Sequence, residues 1–153
     1  VATKALAAFA DALEEQGVTL PDRRYMAPGS IIPWDGEQLV VTLQSVGQGK
    51  PGAPQAQRYL PGSENFYAQF AVAIVRVVPA LSDGPEGIPD EGELNDAGVV
   101  AMTDALALVR AAVTVHAASV ATGLGMDFVV GPCTTVGPEG GLAGHRLLFE
   151  VSL

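Results

Sequence analysis

Residues 66–78 read FYAQFAVAIVRVV. Phe70, Val72 and Ile74 fall on one side of an extended chain, and Ala71, Ala73, Val75 and Val77 on the other. A strand that is apolar on both sides belongs in the middle of a sheet or is covered on both faces. Upstream, residues 38–46, QLVVTLQSV, alternate Leu39, Val41 and Leu43 against Gln38, Thr42 and Gln44, the pattern of a half-buried strand. Downstream, MDFVVGPCTTV (126–136) and HRLLFEVSL (145–153) read as a hairpin joined by the glycine-rich turn GPEGGLAG. In its second strand His145, Leu147, Phe149, Val151 and Leu153 share the core side, and Arg146, Glu150 and Ser152 line the other.

Two helical patterns complete the chain. Over residues 2–16, Leu6, Phe9 and Leu13 lie on one stripe and Gly17 supplies the stop. From about Leu94 to Val120, Val99, Met102, Leu106, Val109 and Val113 recur at alternating steps of three and four and form one seam. Alanine fills most of the rest and charges are few, so this helix is expected to be deeply packed; Gly123 and Gly125 end it. The segment TLPDRRYMAPGSIIPW (19–34) carries three prolines and reads as connecting chain. The order α-β-β-α-β-β predicts a single α+β layered domain over 1–153, with helices packed on a four-stranded, largely antiparallel or mixed sheet.

Composition narrows the function. Charged residues are 16% of the chain and apolar ones 48%, against about 25% charged in an average soluble domain. A surface so poor in charge points to an oligomer or assembly component, with apolar area covered by a partner. Eight basic against seventeen acidic residues leave a net charge of −9. Nucleic-acid binding needs a cationic footprint, and attachment to an anionic membrane needs one too. No stretch reads as a membrane span, and the first residues lack a signal peptide's basic-then-apolar layout, so a soluble, cytosolically made chain is expected. The lone Cys133 excludes an internal disulfide and a multi-cysteine metal site.

Gly47, Gly49 and Gly52 match G-x-G-x-x-G directly after a strand. The dinucleotide fingerprint works because its glycines open a helix whose free N–H groups face a pyrophosphate. Here Pro51 and Pro54 interrupt the chain where that helix should begin, and Lys50 is followed by proline, not by the Ser or Thr of a phosphate loop. No serine sits in a G-x-S-x-G elbow. His116, near the end of an apolar helix, and His145, on a strand's core side, read as structural, and Cys133 as a small buried hydrophobe. No metal-ligand spacing occurs. No catalytic, cofactor or metal residue is therefore assigned, and the chain reads as a non-enzyme.

Partner-binding candidates are better founded. Trp34, the only tryptophan, stands in the polar setting IPWDGEQ, either plugging one end of the sheet or anchoring an interface. Asp35 and Glu37 follow it, and Lys50, Arg58, Tyr59, Phe66 and Tyr67 lie in or after the long loop 47–65. That loop reads as an assembly arm, since loops of such length are usually functional or disordered. The acidic loop 82–93 leads into the second helix, whose dipole favours acids there.

The segments TLPDRRYMAPG, PWDGEQLVVTL and FAVAIVRVVP, followed by an acidic loop and an alanine-rich helix, resemble the tail terminator proteins of long-tailed bacteriophages, especially those infecting actinobacteria. The likeness covers most of the chain through Val120. Relatives usually carry a cysteine where this chain has Gly36, a departure that weakens any metal or disulfide there without touching the fold. The resemblance implies a structural virion protein of the head–tail neck, made in the host cytoplasm. It would form a homohexameric ring that caps the tail tube, ends its polymerisation and meets the head connector or stopper protein. DNA would pass through the lumen without specific binding, and neither membrane nor cofactor would be involved. A head-completion or stopper ring is the nearest alternative; a small cytosolic enzyme using His116 or His145, or a ligand-binding module, is the next.

Overall fold

The computed structural model describes residues 1–28, 36–52, 64–79, 90–139 and 141–153. Helix α1 (Ala2–Glu15) precedes strands β1 (Arg24–Pro28), β2 (Gln38–Gln48) and β3 (Phe66–Val77). Helix α2 (Glu91–Ala117) leads to β4 (Phe128–Glu139) and β5 (Leu142–Ser152). The strands form one open mixed sheet in the order β1-β2-β3-β5-β4, so β3 is central, as its two apolar sides require.

The sheet has five strands where four were expected. The addition is RYMAP, read as connecting chain, which pairs parallel with β2 from Arg24 opposite Leu39 to Pro28 opposite Leu43. Five residues with no face fully buried give no alternation to detect, and an edge strand uses only one row of hydrogen bonds, so Pro28 is tolerated at its end. The last hairpin is also tighter than its glycines implied. Leu142, Ala143 and Gly144 belong to β5, not to the turn, and pair with Val77, Arg76 and Val75. Gly144 is needed inside the strand: a Cβ there would run into the backbone of Ile74 and Val75.

Both helices pack on one face of the sheet. Phe9 and Leu13 of α1 and Leu108, Ala111 and Val115 of α2 close over Leu39, Val41, Phe70, Val72, Leu147 and Val151. At the centre Phe149 meets three rings, those of Phe9, Phe70 and Phe128, at centroid distances of 5.4, 5.5 and 5.3 Å. Each such pair is worth about 0.5–1.5 kcal/mol beyond the area it buries. On the opposite face Val40, Ala71, Ala73 and Val75 are also buried.

The glycine motif serves the backbone. Gly47 sits in β2 opposite Tyr67 and leaves room for that ring to lie across it. Gly49 and Gly52 take positive φ (116° and 75°) in the turn that follows. The Gly52 N–H, a donor that a phosphate would want, instead binds Glu150 Oε2 at 2.7 Å, and Gln69 Nε2 donates to the other oxygen at 2.9 Å. The protein's own carboxylate holds the turn at Gly52.

Candidate assembly surface

The rotation of α2 about its axis is set by one ion pair. Arg76, from the lower end of β3, donates through Nε to Asp104 Oδ2 at 2.8 Å and through Nη2 to Asp104 Oδ1 at 3.2 Å. Its Nη2 also reaches the Thr19 carbonyl at 2.7 Å, and Glu37 Oε2 stands 3.4 Å from Nη1. Asp104 is only 4% exposed. Burial pulls the Arg76 pKa down, but the hydrogen bonds and charge of Asp104, then of Glu37, outweigh it and leave the guanidinium pKa raised. A carboxylate with such partners holds the Ala107, Ala111 and Ala112 face of α2 against the core, where small side chains allow close approach.

The seam expected to pack inward therefore faces outward. Val99, Met102, Leu106, Val109 and Val113 are 65, 76, 51, 42 and 61% exposed. At 100° per residue their stripe lies roughly opposite that of Asp104, Ala107, Leu108, Ala111, Ala112 and Val115. Periodicity identified the stripe but not its direction, because α2 is apolar on both sides. By length and composition α2 could also cross a membrane, with a mean hydropathy of 1.6 over its best window. That corrects the expectation that no stretch approaches a span, although the inner stripe is a packed core stripe.

The apolar surface continues past the seam. Val113 and His116 border a groove floored by Phe128, Val129 and Val130 of β4, an edge strand of the sheet. The His116 ring centroid lies 6.0 Å from that of Phe128, a packing contact. At the other end of α2 a cavity of about 310 Å³ is lined by Glu37, Arg76, Val100, Asp104 and His145, among others. His145 Nε2 is shielded from solvent with no hydrogen-bond partner among the described residues.

The chain matches no protein-family model and no curated protein. Geometry alone must then weigh the residues singled out from sequence. Trp34, Asp35, Arg58 and Tyr59 lie outside the described residues, as does most of the loop 47–65 and of the acidic loop 82–93. Of the rest, Tyr67 is 2% exposed beneath the sheet's opposite face, so it is a core residue and not an interface anchor. Glu37 is occupied: its Oε1 accepts from the Val77 N–H at 3.3 Å while Oε2 faces Arg76. Lys50 and Phe66 are exposed, but they stand at the opposite end of β2 and β3 from Glu37, about 30 Å away along an eleven-residue strand. The structure does not bring these candidates together. What sequence reasoning missed is the outward direction of the α2 seam. The signal was Asp104, a charge on the alanine side of the helix, matched by Arg76 in an otherwise apolar strand.

Among the described residues no group of three or more His, Cys, Asp or Glu could hold a metal. Burial pushes the Cys133 thiol pKa up. The thiolate is the reactive form, so Cys133 in the folded protein should alkylate several-fold more slowly at pH 8 than in the urea-unfolded chain. Equal rates in timed mass-spectrometric labelling would contradict this.

Proposed function

We propose that this chain is a ring-forming structural subunit of a bacteriophage head–tail neck, the tail terminator that caps the tube. The observation that carries the reading is the outward apolar face of α2 on a chain with few charges. A monomer leaves so large a continuous patch bare at a cost in solubility, whereas an assembly component covers it. The open sheet adds support, because its two edges, β1 and β4, lie on opposite flanks where side-by-side copies could meet in a closed ring. A net charge of −9 suits a conduit that must not grip passing phosphate.

Native mass spectrometry over a concentration series, with negative-stain imaging in the presence of tail tubes, tests the reading. Closed rings seated on tube ends support it. Rings that bind only the portal side would make the protein a stopper, and absence of any ring with tubes supplied would overturn both. A second reading, a ligand-binding module or small enzyme, is favoured by the cavity at His145. It requires a small molecule whose binding or turnover His145→Ala abolishes while assembly is unchanged.

A further inference from the structure

The outward stripe of α2 has the spacing of a coiled-coil seam. Taking Val99 as position a, the a positions are Val99, Leu106 and Val113, and the d positions are Met102, Val109 and His116. Apart from His116 all are apolar, and all are exposed. A stripe repeating every 3.5 residues fits another helix better than it fits a sheet or a flat surface. The other described helix of the chain cannot supply that partner. Helix α1 packs beside α2 on the sheet, where Gln16 Nε2 donates to the Ala107 carbonyl at 3.2 Å.

We propose that α2 pairs with α2 of a second copy, antiparallel about a two-fold axis near Thr103. The inference takes from the proposed function only that protein covers this face. Charge fixes the occupant and its direction. The flanking e positions are Asp96, Thr103, Arg110 and Ala117; the g positions are Gly98, Ala105 and Ala112. Asp96 and Arg110 are exposed, and neither forms an ion pair among the described residues. In an antiparallel pair e faces e, so Asp96 of each copy meets Arg110 of the other, and Thr103 meets its own counterpart on the axis. The same register stacks Val99 with Val109 and Met102 with Leu106 across the contact. A parallel pair would set e against g, bringing Asp96 against Glu91 of the other copy and leaving Arg110 opposite Ala105, with no complementary charge pair. On the other flank Gly98 and Ala105 are small and let the two helices approach closely, while Ala112 stays in its own core, and opposed helix dipoles favour the same direction.

Two-fold pairing leaves β1 and β4 free, so it and ring closure use different surfaces, and the paired form is the state of the free protein in solution. The test uses sedimentation equilibrium and cysteine cross-linking of the full chain. Wild type should show a monomer–dimer equilibrium. Thr103→Cys in a Cys133→Ser background should oxidise to a covalent dimer, and Met126→Cys, exposed off the seam, should not. Arg110→Asp should weaken dimerisation by about tenfold or more, and Asp96→Arg with Arg110→Asp should restore it. Asp96, Thr103, Arg110 and Met126 are exposed, and Cys133→Ser is a near-isosteric change at a half-buried site, so the variants keep the fold, which circular dichroism checks. A monomer at every concentration, a double variant that stays weak, or vesicle flotation through α2 without pairing would each overturn the proposal. A monomer that still caps tubes would sink the pairing and spare the neck role; a cross-linked dimer that forms no ring would do the reverse.

Discussion

Arg76→Ala should lower the unfolding free energy by about 3–5 kcal/mol, enough to leave the protein largely unfolded at modest urea. The substitution strands the Asp104 carboxylate, which is buried and whose two oxygens both bind Arg76. It also strips the Thr19 carbonyl of its donor and leaves Glu37 facing a void. Removing both charges is a different matter. The double variant Arg76→Met with Asp104→Leu replaces the pair with apolar bulk, and such replacements are often neutral or stabilising. Urea denaturation of the single and double variants reads the contrast. A loss below about 1 kcal/mol for Arg76→Ala would mean that solvent reaches Asp104 and that the pair does not set the rotation of α2.

Gly144→Ala is the second large effect, at about 3 kcal/mol or more, because the added methyl must displace main chain and not a side chain. The atoms in its way are the Ile74 carbonyl oxygen and the Val75 Cα, on the strand hydrogen-bonded to β5. Neither can step aside without parting β3 from β5 at the centre of the sheet. The control is Gly98→Ala. A Cβ at Gly98 meets nothing within 4 Å, and the site is an exposed helical one, so alanine should stabilise by about 1 kcal/mol. Thermal melts of the two variants should move in opposite directions. If Gly144→Ala melted like wild type, β5 would have to start after residue 144, as the sequence pattern alone implied.

The sequence was a good guide wherever a single residue property dominates the environment. Residues 66–78 read as central because both their faces are apolar, and β3 lies third of five. The last strand's faces were legible for the same reason: Leu147, Phe149 and Val151 are buried, and Arg146, Glu150 and Ser152 face the other way. Legibility failed where a property has two physical causes. Gly144 looked like a turn residue, since glycine marks both turns and close approach of strands. The stripe Val99–Val113 looked like core, since apolar periodicity marks any buried face, whether covered by the same chain or by another. Strand β1 was hidden because an edge strand of five residues needs no pattern at all. The partner candidates chosen for aromatic and loop character were the least legible. Of those described, Tyr67 is core and Glu37 is tied to Arg76, so only Lys50 and Phe66 remain open to a partner.

The strand order carries a consequence for how the protein is made. Strand β4 touches the sheet only through β5, which is synthesised after it and must slip between β4 and β3. Until residue 152 clears the ribosome, β4 has nothing to pair with, and Phe9, Phe70 and Phe128 lack the Phe149 ring that joins them. A nascent chain in that condition shows the inner side of α2 as well as the outer one, and aggregation competes with folding over that interval. Completion of β5 is therefore the step that commits the chain.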